Sequence, residues 1–539
     1  MDERIQLLNE FWSKQDGIEL ISPFVLDKKI FRGEIKLISP PKGDLFFDVK
    51  IPISYPFSNE SISIHFHCTN EKNVRHINAD GSICILVPKN NNFSERLAGE
   101  VRLLKEWRDK YYIQEIEDEN YEYPIVNEKS NDTFLFTGVN EQFKNLESGV
   151  FYAYQYYNNN NLYEDRSAEN YFVQRFERKK CAWSDRIQSL PPTYEGLYFF
   201  INKEPLEYGR IAALNWKNLN NLISYKGKEL LYKIKNSTKK SKNKCLHILI
   251  GYNIPNNEEV HWLALKVDVD KIPVRGKRVS PLVYEYDFYD YEIEWCKTYN
   301  ASYDRFFGRG ALNKELANKK VLILGVGALG SILARVLTKA GLRNIALSDS
   351  ETIEPGNLCR AEFNLNNIGV PKVIAVAQTL YGLSPFINIT IEGAVDKCLM
   401  DPYKKDSKLA LDQYDLIFDC TSDMELAVVL DELGLNSDIF NLSISNKANE
   451  MICIATSKSI SREKSQLFSK LSINEDKLIY EGIGCWSSTF EASYFDIGSL
   501  LNLAVKNINL QFETKGAYNT FVLKVENEYS SVKIKTIDY

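Results

Sequence analysis

The chain opens with apolar residues at helical spacing. Ile5, Leu8, Phe11 and Trp12 recur every three or four positions and predict an amphipathic helix. The runs FRGEIKLIS, DLFFDVKIPI and SISIHFHC follow, parted by turn signals, and read as strands. The stretch around Cys84 reads as a loop. It leads through an Asn-rich turn, Asn90–Asn92, to a second helix, GEVRLLKEWRDKYY. Over residues 1–115 this order is α+β. Residues 116–150 are acidic and mixed, and the expectation is a linker. Up to residue 300 the chain is rich in Tyr and Phe and offers further strands, GLYFFIN, CLHILIGYN and VHWLALKVDV, so 116–300 is expected to be a linker and a mixed central domain. From 301 the pattern changes. VLILGVGALG is a buried strand running into a Gly-rich turn, SILARVLTKAGL a helix, NIALSDSE a second strand, and YDLIFDCTSD repeats the strand-then-turn pattern. Such alternation predicts a doubly wound parallel sheet over 301–539, and an α/β protein as a whole.

Composition narrows the classes. The 539 residues are 44% hydrophobic and 26% charged, enough to bury large cores and too apolar for a disordered chain. A net charge of −6 argues against nucleic acid as the main partner. No apolar run reaches the 18 or so residues of a membrane span. The first residues, MDERIQLLNEFWSKQ, are acidic where a secretory signal is basic, so a cytoplasmic protein without membrane contact is expected. Ten cysteines include no C-x-x-C pair, which removes a zinc site built from two such pairs. The five histidines all precede residue 262, so histidine acid–base chemistry in the last half needs a residue from another domain or chain. The strand-borne set His65, His67 and Cys68 is a poor metal site, because His67 and Cys68 face opposite sides of a strand. The lysine-rich stretch KIKNSTKKSKNK and the Asn run 158–161 read as solvated loops.

Gly325-Val-Gly327-Ala-Leu-Gly330 follows a strand and opens a helix. Glycines there permit the tight turn and bring backbone close to phosphate, and the helix N-terminus offers free N–H groups to an anion. Asp349 ends the next strand, 24 residues after Gly325, where an acidic residue takes ribose hydroxyls. The glycine motif alone suits a dinucleotide as well as ATP. Downstream, SDSETIEPGNLCRAEFNLNNIGVPK carries Asn357, Arg360 and Lys372. Asp419 lies in FDCTSD at a strand tip, and YDRFFGRG upstream carries Arg305 and Arg309. Taken together, residues 301–500 resemble the ThiF/MoeB and ubiquitin-activating enzyme superfamily, whose fold is a Rossmann-like adenylation domain. The resemblance implies that Asp349 holds the ATP ribose, that Asn357, Arg360 and Lys372 grip the phosphates, that Asp419 binds Mg²⁺, and that Arg305 or Arg309 is an arginine finger, in this family often reaching across a homodimer. The chemistry fits: a carboxylate attacking an α-phosphate brings anions together, and cations must neutralise them. The missing C-x-x-C pairs depart from the sulfur-transferring branch and favour protein conjugation.

Acyl-adenylates are captured by thiolates, which are strong nucleophiles near neutral pH. Cys485, in EGIGCWSSTFEASYFDIGSLLNL, sits in a Ser/Thr-rich loop before an apolar helix and resembles the cysteine-bearing loops of activating enzymes. Cys359, Cys420 and Cys453 read as packing. Near the other end, Tyr55-Pro56-Phe57 and Asn78-Ala-Asp-Gly81-Ser-Ile83-Cys84 resemble the core of ubiquitin-conjugating enzymes, over about residues 1–115. The resemblance makes Cys84 the conjugating cysteine. The family's His-Pro-Asn triplet is absent: Val74, Arg75 and His76 stand in its place, and His76 keeps the ability to donate a hydrogen bond to an oxyanion.

A conjugating-like and an activating-like domain on one chain resemble the bacterial fusions of type II CBASS antiphage operons. The resemblance implies adenylation of a partner protein's C-terminus, thioester capture on Cys485, transfer to Cys84 and ligation to a target amine such as lysine. The partner would be a cGAS-like nucleotidyltransferase or a ubiquitin-like protein. Two alternatives stay open: a ThiF-like adenylyltransferase serving sulfur transfer, and a binding module that keeps the fold without catalysis.

Overall fold

The computed structural model describes residues 3–57, 64–78, 80–85, 90–116, 121–156, 169–237, 244–257, 259–281, 283–392, 405–455, 459–470, 479–480, 489–514, 518–528 and 531–539. The chain divides into two compact units, Met1–Cys181 with Pro191–Asn300, and Ala182–Leu190 with Ala301–Tyr539. Among the described residues no helix is long and apolar enough to cross a membrane.

In the first unit, helix α1 (Glu3–Ser13) buries Leu8 and Trp12. Four strands follow as an antiparallel meander: β1 (Ile18–Asp27), β2 (Ile30–Leu37), β3 (Leu45–Pro52) and β4 (His65–Cys68). Sequence reading missed β1. Its pairing with β2 is bulged around Ser22, and Ile21 and Val25 face solvent, so the strict alternation that marks a strand is broken. Helix α2 (Phe93–Trp107) starts earlier than its apolar pattern suggested, because Asn92 caps it by accepting from the N–H groups of Ser94 and Glu95. A buried Arg96–Glu100 pair on α2 reaches back to the Tyr-Pro-Phe turn. Arg96 Nη1 donates to Pro56 O at 2.9 Å, and its guanidinium lies 5.8 Å from the Tyr55 ring centre.

The stretch expected to be a linker is structural instead. It supplies β5 (Glu128–Phe136) and begins β6 (Ser148–Tyr156). Residues 130, 132, 134 and 136 alternate inward, but two of them are Ser and Asp, which hid the strand from a hydrophobicity reading. With β7 (Asn170–Phe176), β8 (Tyr194–Phe200), β9 (Cys245–Asn253), β10 (Val260–Asp268) and β11 (Glu294–Asn300), these strands close a hydrogen-bonded ring in the order β5-β11-β10-β9-β8-β6-β7-β5. Ring closure removes exposed sheet edges.

The second unit is built on a sheet of order β14-β13-β12-β15-β16-β17-β18-β19: β12 (Lys320–Leu324), β13 (Asn344–Ser348), β14 (Asn388–Ile391), β15 (Leu416–Asp419), β16 (Asp438–Ser445), β17 (Glu450–Ala455), β18 (Phe521–Glu528) and β19 (Ser531–Asp538). The first five run parallel and the rest antiparallel. Helices α3 (Ala328–Lys339) and α4 (Lys372–Leu383) cover one face with α7 (Tyr494–Thr514), and α5 (Met424–Leu433) and α6 (Ile460–Lys470) cover the other. The stretch 182–190 is tied to this unit although it comes from mid-chain. Trp183 packs on Phe386, Arg186 lies 3.9 Å from the Tyr381 ring centre, and the Ser184 N–H donates to Pro385 O at 3.0 Å.

Candidate functional site

Strand order reverses direction between β12 and β15, so the chain leaves these neighbours on opposite sides and opens a crevice at their C-terminal ends. The Gly-rich turn lies there. Gly325 has φ +79°, and a Cβ on it would stand 2.9 Å from Thr421 Cγ2. A Cβ on Gly330 would stand 1.9 Å from Gly325 O, so α3 could not start so close to the turn with any other residue there. Gly327 precedes α3 with no side-chain cap, and nothing lies within 4 Å of where its Cβ would be. An uncapped helix N-terminus facing open space is a fit for phosphate. Asp349 braces the turn. Its Oδ2 accepts from Val326 N–H and its Oδ1 from Glu351 N–H, both at 2.8 Å.

Asp419 ends β15 and is wholly buried. Its Oδ1 accepts from Thr421 N–H at 3.0 Å and Thr421 Oγ1 at 2.6 Å, and its Oδ2 accepts from Asn441 Nδ2 at 2.6 Å. All three donors are neutral, so the carboxylate is oriented but carries no bonded cation, which suits a divalent ion. Thr421 thus links Asp419 to the wall behind Gly325. Lys372 opens α4, is buried, and pairs with Glu351, next but one to Asp349. Asn357 spends its Oδ1 on Glu354 N–H in a capping box (2.9 Å), and Arg360 follows that turn half-exposed. Arg305 and Arg309 are not brought to the glycine turn. Both are exposed on or beside the short helix Tyr303–Phe307, whose Tyr303 hydroxyl donates to Gly341 O at the far end of α3. The twelve residues of α3 separate that end from the turn by about 18 Å.

The Cys84 loop is tied to β4. Cys68 N–H donates to Gly81 O (3.0 Å) and Ile83 N–H to Phe66 O (2.9 Å). Gly81 takes φ +86°, the conformation that turns the loop back. Cys84 is half-buried, and its N–H donates to His76 O at 2.7 Å, which sets the two residues opposite one another. His76 itself has φ +60°, its ring lies 4.2 Å from that of Tyr111, and its Nδ1 lies 3.0 Å from Glu122 Oε1. Arg210 Nη1 is 2.9 Å from the other Glu122 oxygen. Glu122 and Arg210 were not legible from sequence, because neither belongs to the loop's motif. Cys485 lies outside the described residues.

Of the thiols read as packing, Cys453 is buried and Cys420 half-buried, and burial pushes both thiols up. Cys359 is a correction: it is exposed, because its turn follows the Pro355–Asn357 capping box and does not enter the core. One group of potential metal ligands occurs among the described residues, and sequence reading did not find it: Asp132, His247 and Cys296, on β5, β9 and β11. Lys266 on β10 and Tyr194 on β8 complete it. Asp132 Oδ2 accepts from Lys266 Nζ at 2.7 Å and His247 Nε2 at 2.9 Å. The Tyr194 oxygen accepts His247 N–H (3.0 Å), so its proton is offered to Nδ1 (2.8 Å), and Nε2 is the donor to Asp132. Burial pushes the Cys296 thiol up to about 12. An ammonium already stands on the carboxylate, and the imidazole lone pair is spent, so the group is a closed network.

Known proteins match part of this chain. Residues 299–445 match the ThiF family. The ATP-dependent ubiquitin transferase-like protein Cap2 of Enterobacter hormaechei subsp. hoffmannii is 27% identical over 270 residues, covering 46% of this chain and 44% of that protein. The adenylyltransferase and sulfurtransferase UBA4 of Yarrowia lipolytica is 28% identical over 125 residues, 23% of this chain and 30% of that one. A crystal structure of E. coli MccB with ATP aligns with 42% of this chain and 64% of its own at 16% identity and a TM-score of 0.30. The chain therefore spans less than half the length of these curated relatives.

Proposed function

We propose that this chain activates the C-terminal carboxylate of a partner protein by ATP-dependent adenylation and passes it through thioesters to an amine. The observation that carries the reading is the switch-point crevice, where the uncapped N-terminus of α3, the braced Asp349 and the buried Asp419 converge within the ThiF-matching residues. Asp349 would hold the ribose and the turn Gly325–Gly330 the phosphates, with Lys372, Asn357 and Arg360 beside them. Mg²⁺ held at Asp419 would neutralise charge on the phosphates. This chain's part is to orient the nucleotide and keep the attacking carboxylate in line. Arg305 and Arg309 stand apart from the turn of their own chain, which supports an arginine supplied across a homodimer.

Cys485 is the proposed first thiol and Cys84 the second. Transfer between them exchanges one thioester for another, so it is close to thermoneutral, and one chain replaces a bimolecular encounter. At Cys84 an amine attacks the thioester carbonyl, the C–N bond forms, and the thiolate leaves. His76, held by Glu122, is the proposed hydrogen-bonding group for that step. Likeness to Cap2 supports a CBASS-type setting in the cytoplasm, with a cGAS-like nucleotidyltransferase or a ubiquitin-like protein as the activated partner.

The test is a trap. Cys84→Ser is expressed with the genes that flank its own, purified without reductant, and weighed intact and as peptides. A polypeptide joined to the new serine by a hydroxide-labile ester, and lost when Cys485→Ala is added, is the expected result. An adduct on Cys485 alone removes the conjugating step. No adduct on either residue, with ATP bound and the partner present, overturns the relay and favours sulfur transfer or binding.

A further inference from the structure

Helix α6 turns Ile460, Lys464 and Leu467 inward, a spacing of four and three that puts all three on one face. Its start is fixed on α5, where Asp431 accepts from the N–H groups of Ile460 (2.7 Å) and Ser461 (2.9 Å). Ile460 and Leu467 pack with Ala427, Ile452 and Ile454. Lys464 occupies the position between them, where a core helix ordinarily carries an aliphatic residue. It is 3% exposed, and among the described residues its ammonium has no hydrogen-bond partner. Its charge is felt by two carboxylates, Asp419 at the tip of β15 and Asp423, which caps α5. Neither is within hydrogen-bond reach.

Buried ammonium groups are ordinarily bonded, because an unpaired one has lost its water without replacement. The exception here lies on the face of α6 that packs with Ala427 in the first turn of α5, a helix capped by Asp423; the segment Asp419–Asp423 leads into that helix, and its Thr421 backs Gly325. Along the sheet, Asp349 follows β13, the glycine turn follows β12 and Asp419 ends β15. A nucleotide with its ribose at Asp349 and its first phosphate at the turn therefore extends its remaining phosphates toward β15. The two carboxylates of that segment draw a cation, and an ammonium beside them serves phosphate oxygens that the cation leaves uncovered.

We propose that Lys464 is a further nucleotide-binding residue, its ammonium taking an oxygen of the terminal phosphates of ATP. This deepens the adenylation reading and rests on it.

Calorimetric titration of the full-length protein with ATP·Mg²⁺ and with AMP tests the proposal. Lys464→Met keeps length and removes charge. The expected result is ATP binding weakened at least tenfold, the scale of one charge-assisted hydrogen bond, with AMP changed less than twofold. The melting temperature without nucleotide should rise, since an unpaired charge leaves the core. Lys464→Arg should hold ATP affinity within about threefold. Wild-type ATP affinity in Lys464→Met overturns the proposal, as does equal weakening of ATP and AMP, which would mean a disturbed pocket. If circular dichroism shows Lys464→Met unfolded, Lys464→Gln is titrated in its place with the same two outcomes. A wild type that binds neither nucleotide overturns the adenylation reading itself, and so is distinct from failure at Lys464.

Discussion

Asp132 and Asp419 are both carboxylates with almost no exposure, each at the heart of one unit, and they are satisfied in opposite ways. Asp132 is bonded by a lysine ammonium, an imidazole and the Glu169 N–H. Asp419 is bonded only by a threonine and an asparagine, while the Lys464 ammonium, whose charge it feels, makes no hydrogen bond among the described residues. A buried charge paired in place holds strands together and leaves nothing for a ligand. A buried charge oriented by neutral donors beside an unpaired cation is a site prepared for one. The first arrangement contains His, Asp, Cys and Lys, the residues that most suggest chemistry. The second contains mostly unremarkable residue types, and it is the better candidate.

The largest expected effect breaks the first arrangement. Asp132→Asn leaves the Lys266 ammonium without its counter-charge and weakens the bond from His247, and it should cost about 3–5 kcal/mol of stability in the ring. Urea unfolding followed by tryptophan fluorescence measures it, and a loss under about 1 kcal/mol would contradict a structural role. ATP affinity should be unchanged.

Asp419→Asn should do the reverse. Stability should fall by only about 1 kcal/mol, because the amide oxygen still accepts from Thr421 and the change removes one neutral hydrogen bond, that from Asn441. ATP–pyrophosphate exchange with the cognate partner should fall about 10²–10³-fold, as for loss of one group that stabilises developing charge. Exchange at the wild-type rate would remove Asp419 from the site.

Acid should separate the two by a third route. Burial opposes ionisation of Asp132, but bonds from His247, Lys266 and the Glu169 N–H outweigh it and hold its carboxyl below the usual range. A depressed carboxyl stabilises the fold fully above its unfolded value, about 3.9, and loses that contribution as pH falls below it toward the folded value. Wild type should therefore lose stability between about pH 4 and pH 2 more steeply than Asp132→Asn. Parallel curves for the two proteins would falsify the assignment.

The smallest effect concerns the thiol loop. Glu122→Gln keeps the hydrogen bond to His76 and removes its charge. Discharge of the Cys84 thioester to an amine should slow about threefold, with loading unchanged, since a charge-assisted bond is roughly twice as strong as a neutral one. A slower loading step instead would assign Glu122 to the shape of the loop.

Sequence reading placed the elements whose motif lies in contiguous spacing. The strand, Gly325, Gly327, Gly330, the helix after them and the acid that ends the next strand lie within one unit of chain. Covalent geometry and backbone sterics are enough to place them side by side. The turn from Asn78 to Cys84 is equally local, and Gly81 marks it. Strand β1 was missed because a bulge broke its alternation, and β5 because polar residues face its interior.

What the sequence by itself determined is thus the local vocabulary of this protein: a Gly-rich turn between strand and helix, the acids beside it and a cysteine loop. The tertiary structure alone decided which distant residues serve them. His247 and Lys266 reach Asp132 across 115 and 134 residues, Glu122 reaches His76 from beyond its loop and is itself paired with Arg210, and residues 182–190 belong with a unit whose main part begins at 301. Lys464 belongs to no motif in the sequence, and only the packing of α6 shows it to be buried. The physical reason is the range of the forces concerned. Turn and helix preferences act over a few neighbouring residues, whereas burial and charge pairing act between whatever the closed ring and the wound sheet bring together.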